Sequence, residues 1–205
     1  MPATEDQAQA VEVDGRRRQR AKSAATRNRL LDAAADVVTT DGIAGLTLER
    51  VAEEAGTSKG GLLYHFASKR DLIMALAERA LAETDATLED LARASGRSTG
   101  AFAAGYLDFV TSGRHAETDS AASIFAAAAH DQEYLAPSQE QFDRWQQRLL
   151  ADDGIDATLG LLARVVGDGL WLIDLFGLAP PDEDQRRRLA DLVMGLIDEP
   201  AAPRS

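Results

Sequence analysis

The sequence predicts an all-α protein, with a small three-helix unit near its N-terminus and a larger helical unit behind it. Three observations carry that reading. No proline occurs between Ala3 and Ala136, so nothing in that stretch forbids long helices. Apolar residues recur at helical spacing, few segments alternate with period two, and β-branched residues are sparse. Charge is also unevenly distributed. The chain carries −12 overall, yet residues 1–15 carry −4, residues 16–79 carry +4 and residues 80–205 carry −12. A basic segment on an acidic body suits a polyanionic partner met by that segment alone.

Taken in order, residues 1–22 read as a disordered arm, polar and aperiodic, ending in the basic run Arg16, Arg17, Arg18, Arg20 and Lys22. That run suits either a minor-groove arm or a solvated tail. Residues 23–70 form the expected first domain. Its first helix spans 26–40, with Leu30, Ala34, Val37 and Val38 as its apolar stripe and Gly42 as its stop. Thr47 caps a second, short helix to Glu54, Ala55-Gly56-Thr57 turns the chain, and Ser58 caps a third helix to about Phe66. Residues 71–205 form the expected second domain. Ser68 and Asp71 open a long fourth helix to Arg93, and further helices are expected over 101–113, 118–131, 138–152, 156–176 and 182–198. Pro180 and Pro181 separate the last two, Asp182 to Gln185 offer the final helix an acidic cap, and Leu189, Leu192, Val193, Leu196 and Ile197 form its single apolar stripe.

Composition removes several function classes. There is no cysteine, which excludes disulfides, thiolate metal sites and a cysteine nucleophile. The three histidines, His65, His115 and His130, form no metal-spaced pair, and no Gly-x-Ser-x-Gly elbow or phosphate-cradling glycine loop occurs. Neither enzyme, metal nor cofactor is therefore expected. No segment is apolar over the roughly 18 residues of a membrane span, so the expected location is cytoplasmic.

The segment Thr47–Phe66 has the spacing of a helix-turn-helix. Ala52 is small enough for close helix approach, and Gly56 sits four residues later, where a short turn needs left-handed backbone. Val51, Leu62 and Phe66 fall where apolar residues must lock the two helices against the first. The stretch from Arg29 to Leu72 closely resembles the DNA-binding domain of the tetracycline-repressor (TetR) family. Its core reads Thr47-Leu-Glu-Arg-Val-Ala-Glu-Glu-Ala-Gly-Thr-Ser-Lys-Gly-Gly-Leu-Leu-Tyr-His-Phe-Ala-Ser-Lys69. Asp168-Gly-Leu-Trp-Leu172 followed by Leu175-Phe-Gly177 looks like the penultimate helix in one branch of that family.

The resemblance implies a homodimeric repressor, with residues 23–70 as its DNA-binding domain and residues 71–205 as its effector-binding and dimerisation domain, that binds a palindromic double-stranded operator and answers to a small-molecule effector. It implies that Ser58, Lys59, Gly60 and Gly61 face bases and phosphates in the major groove. Thr47, Tyr64, His65 and Lys69 would then grip the backbone. Short hydroxyl side chains and a lysine ammonium suit those tasks. One departure stands out: the family often has tyrosine where this chain has Leu63, so Tyr64 or His65 must supply that contact.

Behind residue 100 lie nine of the eleven aromatics. Phe102, Tyr106, Phe109, Phe125, Trp145 and Trp171, with Phe176, line either an effector pocket or an ordinary core. Asp168 and Asp174 sit inside the most apolar helix, where a carboxylate needs a partner. Arg164 or another arginine supplies it, or an effector does; pairing is the reading adopted. Gly160, Gly167 and Gly169 suit close helix packing, and Arg186, Arg187 and Arg188 suit a solvated face. Helix 156–176 is too apolar all round to be covered within one subunit, which points to a dimer through it and the helix that follows. The alternative is a DNA-binding regulator that takes no small ligand and is gated by a protein partner.

Overall fold

The computed structural model describes residues 3–113, 134 and 136–199. The described residues are helical, with no strand among them. The elements are α1 (Ala3–Gly45), α2 (Leu48–Glu54), α3 (Lys59–Leu63), α4 (Lys69–Ala94), α5 (Ala101–Thr111), α6 (Ala136–Gln147), a π-helical turn (Arg148–Asp152), α7 (Ala157–Phe176) and α8 (Glu183–Asp198). The expected helix 118–131, with Phe125, His115 and His130, lies outside the described residues.

Helix α1 begins at Ala3, so the segment expected as a disordered arm is helical instead. Alanine, glutamine, glutamate and arginine dominate it, all good helix formers, and a solvated helix needs no apolar stripe. Residues 15–22 are exposed along it. Gly42 interrupts the helical backbone (φ 70°, ψ 173°), where the sequence places the stop, and one further turn runs to Gly45.

The chain divides into two compact units, 1–76 and 77–205, the division falling within α4. It falls six residues beyond the boundary expected from sequence, because Leu72, Ile73 and Leu76 at the start of α4 are buried. In the first unit α2 packs on α1 and α3 on α2. Leu30, Leu31, Ala34, Val37, Val38, Leu46, Val51, Ala52, Leu62 and Phe66 are buried, as the stripe and the locking positions require. The Arg27 guanidinium lies 5.0 Å from the centre of the Phe66 ring and covers it by cation–π contact.

The second unit is built around α5, which packs on α7, α8 and the π turn. Phe102, Ala103, Tyr106, Leu107, Phe109 and Val110 of α5 share a core with Trp145, Leu149, Ala163, Leu170 and Val193. The start of α5 is satisfied from a distance: the Asp153 carboxylate accepts from the backbone N–H groups of Phe102 and Ala103, both at 2.9 Å. Expected as one helix over 138–152, the chain instead leaves α6 at Gln147 and widens into the π turn. That turn lies against α7 so closely that a Cβ on Gly160 would overlap the Leu149 carbonyl. A Cβ on Gly167 would likewise enter the Tyr106 ring, whereas Gly169 has open space. Of the three glycines read as packing sites, two serve that role within this unit.

Both carboxylates of α7 are paired. Asp168 accepts from the Tyr106 hydroxyl and from Arg164 Nε at 3.2 Å. Asp174 receives both terminal nitrogens of Arg186, at 2.6 and 2.5 Å. Arg186 is therefore not part of a solvated face: its side chain is only 11 % exposed, brought inward by the turn at Pro180 and Pro181. Asp182 caps α8 through a reciprocal box with Gln185, as its acidic start suggests.

Candidate nucleic-acid interface

The candidate interface is set by caps. Thr47 has extended backbone and its hydroxyl oxygen accepts from Arg50 N–H at 3.1 Å, which starts α2. Gly56 takes φ 63°, the left-handed conformation that the turn demands. Ser58 repeats the cap on α3, accepting from Gly61 N–H at 3.1 Å. Each capping hydroxyl keeps its own O–H, free to donate to an anionic oxygen. Ser68 caps α4 in the same manner through Asp71 N–H. Helix α3 ends at Leu63, three residues short of the expected Phe66, though the Phe66 N–H still reaches the Leu62 carbonyl at 2.9 Å.

Thr47, Ser58, Lys59, Gly60 and Tyr64 are exposed, and Gly61, His65 and Lys69 are half-buried. Tyr64 is 82 % exposed, far more than Leu63 beside it, and its ring meets His65 edge-on at 5.1 Å. It is thus the phenol available where Leu63 departs from the family pattern. A Cβ on Gly60 would meet nothing nearer than the Ser58 hydroxyl at 3.9 Å, so packing does not require glycine there. At Gly61 the Thr57 hydroxyl stands 2.8 Å from such a Cβ, so a side chain there would have to displace it.

The charges are engaged rather than bare. Lys59 Nζ lies 2.5 Å from Glu49 Oε1, and that ammonium holds the Glu49 carboxyl below the usual carboxylate range. Arg50 pairs with Asp41 at 3.4 Å and Glu54 at 3.1 Å, and the hydrogen bond to Asp41 raises its already high pKa. Lys69 donates to the Ile43 carbonyl at 3.3 Å. The sequence reading passed over Glu49; nothing at a spacing of ten residues signals a pair that the helix-turn-helix brings together.

In the second unit, the aromatics read as candidate effector residues come together in one string. Phe102 and Tyr106 have centroids 6.3 Å apart, as do Tyr106 and Trp145. Phe142, absent from the sequence reading, links Trp145 at 5.1 Å to Trp171 at 6.3 Å. Its position three residues before Trp145 on one helix was the available signal. Phe109 is buried in the same core, and Phe176 is exposed apart from the string. Polar groups edge it: Asp85 Oδ1 accepts from Trp145 Nε1 at 2.7 Å and Gln141 Nε2 at 2.9 Å. Burial, with Asp168 beside the hydroxyl, pushes the Tyr106 phenol well above its ordinary pKa.

Two family models match the chain: "Bacterial regulatory proteins, tetR family" over residues 30–76 and "Tetracyclin repressor-like, C-terminal domain" over residues 100–198. The tetracycline repressor protein class A from transposon 1721 (Escherichia coli) is 43 % identical over 56 residues, covering 27 % of this chain and 26 % of that protein. The HTH-type transcriptional regulator SrpR of Pseudomonas putida is 33 % identical over 60 residues, 29 % of this chain and 28 % of its own length. The chain thus spans under a third of these two relatives. Solved structures match far more of it. The multidrug binding protein EbrR, complexed with imidazole, is 28 % identical with a TM-score of 0.60, covering 87 % of this chain and 98 % of that one. A member of the TetR family from Streptomyces coelicolor A3 is 27 % identical with a TM-score of 0.61, covering 85 % and 99 %. With one family model matching within each of its two units and a solved TetR-family structure, 27 % identical, covering 85 % of it, the chain belongs to the TetR family of bacterial regulatory proteins.

Proposed function

We propose that this protein is a homodimeric, sequence-specific transcriptional repressor, released from a palindromic operator by a small, largely apolar effector. Members of its family are DNA-binding transcription factors and not enzymes. Among the described residues no helix is long and apolar enough to cross a membrane. Ser58, Lys59, Gly60 and Gly61 are assigned to the major groove, and Thr47, Tyr64, His65 and Lys69 to the phosphates. The observation supporting that assignment is the exposure of the two capping hydroxyls, Lys59 and Tyr64 on adjoining short helices.

Dimerisation is supported by an apolar face left open on the second unit. Leu161, Val165, Leu172 and Phe176 of α7 are exposed, Val165 at 60 % and Phe176 at 61 %, and Leu192 and Leu196 of α8 join them. On α8 the single stripe seen in sequence splits: Val193 is buried in its own unit, while Leu192 points outward. So many large apolar side chains on one face favour a second copy over water.

The string Phe102, Tyr106, Trp145, Phe142 and Trp171, with Asp168 at its edge, supports effector binding in this unit. Solved EbrR structures hold malachite green and proflavin, and an aromatic compound would suit such a lining. An effector acts only by binding the two dimer geometries unequally, and linkage then requires DNA to weaken effector binding by the same factor. Fluorescence anisotropy on operator duplex, with compounds chosen by thermal shift, tests this. A compound that raises the melting temperature should weaken DNA binding about 5–150-fold. A broad apolar library without one such compound would favour gating by a protein partner.

A further inference from the structure

The helix-turn-helix is not a polycation. Residues 47–69 hold three acids, Glu49, Glu53 and Glu54, against three bases, Arg50, Lys59 and Lys69. Two of those bases are anchored away from the reading helix, Arg50 on Asp41 and Glu54, and Lys69 on the Ile43 carbonyl. The third, Lys59, is the first residue of α3 and carries its ammonium 2.5 Å from Glu49 in the first turn of α2. Both side chains are more than half exposed, so packing does not impose the pair. A glutamate in a first turn favours its own helix by the dipole. That explains an acid at this turn but not its reach across to α3.

We propose that Glu49 is a specificity-determining residue of the DNA interface: it holds the Lys59 ammonium on the base-reading face and opposes that lysine's use as a free phosphate clamp. The assignment rests on the DNA-binding reading above. A lysine on a flexible stem neutralises any phosphate it can reach, which adds affinity without sequence information. Tethered to Glu49, the ammonium keeps two further N–H donors for guanine O6 and N7. Any duplex within reach of Lys59 is also within reach of the Glu49 carboxylate, which accepts from a cytosine amino group but is repelled by phosphate. Non-cognate DNA therefore meets a donor and an acceptor that its bases do not match, and cognate DNA meets a matched donor and acceptor.

The test begins with selection of a preferred duplex from a randomised library by the full-chain wild-type protein. Affinities for that duplex and for a random one are then measured for wild type, Glu49→Gln, Lys59→Ala and the double variant. Glu49→Gln, nearly isosteric and exposed, should bind random DNA more tightly and lower the selected-to-random ratio about tenfold. Its log–log salt slope on random DNA should steepen by about one unit as Lys59 takes a phosphate. In the Lys59→Ala background the same substitution should lower the ratio less, since only the carboxylate's own base contact is then lost. An unchanged ratio in Glu49→Gln, or an equal fall in ratio with and without Lys59, overturns the assignment while leaving DNA recognition intact. Failure of the wild type to select any sequence overturns DNA recognition itself, and this assignment with it.

Discussion

Replacing Leu192 by aspartate should dissolve the dimer and leave each protomer folded. In an interface about a two-fold axis every substitution is made twice. Burying a leucine completely is worth about 1.5–3 kcal/mol, and Leu192 is 61 % exposed in the protomer, so more than half of that remains to be gained on association. The loss is about 1–2 kcal/mol per protomer and about 2–4 kcal/mol per dimer, a weakening of about 30- to 1,000-fold. Desolvating two unpaired carboxylates adds to it. Sedimentation velocity from nanomolar to micromolar protein reads the effect, and far-UV circular dichroism should show the helices retained. The neighbouring Val193→Asp is the contrast: Val193 is buried within its own unit, so that variant should lose helix as well as mass. A Leu192→Asp protein whose dimer constant stays within about threefold of wild type would refute the assignment of this face, since it implies under ~0.7 kcal/mol from a doubled site.

Three more perturbations test the second unit, the first two read at one fixed protein concentration. Gly160→Ala forces a methyl into the Leu149 carbonyl and should destabilise by about 1–3 kcal/mol, with wild-type stability contradicting the close approach. Gly169→Ala meets open space and should gain up to about 1 kcal/mol of helix propensity, so a loss there would place another chain against that residue. Tyr106 has a raised folded-state pKa, so its contribution to stability is complete below the unfolded phenol value and falls as pH rises above it. A 295 nm difference titration of wild type against Tyr106→Phe should show its ionisation only as the fold opens in alkali; a step in the folded protein would contradict the buried Tyr106–Asp168 pair.

What the sequence made legible was local. Thr47, Ser58, Ser68 and Asp182 each cap the helix that follows, and Gly56 carries the left-handed turn, because those signals lie within four residues of what they control. What it hid was closed through space. Asp153 caps α5 from about fifty residues away, and Arg186 turns inward because the bend at Pro180 and Pro181 brings it to Asp174. Sequence periodicity also could not say which half of the α8 stripe faces its own core. At the interface, the exposed residues of α2 and α3 were read one by one, whereas the Glu49–Lys59 pair exists only once the two helices are folded together.

Recognition of a two-fold DNA sequence by this chain is decided by anisotropy at physiological salt on a selected palindrome, its isolated half-site and a random duplex. Two inverted half-sites about one helical turn apart, or a multiple of it, should be bound at least ~1,000-fold more tightly than random DNA. The isolated half-site should recover little of that preference, since one of the two recognition helices is then left without bases to read. Equal affinity for all three duplexes would refute two-fold recognition by this protein.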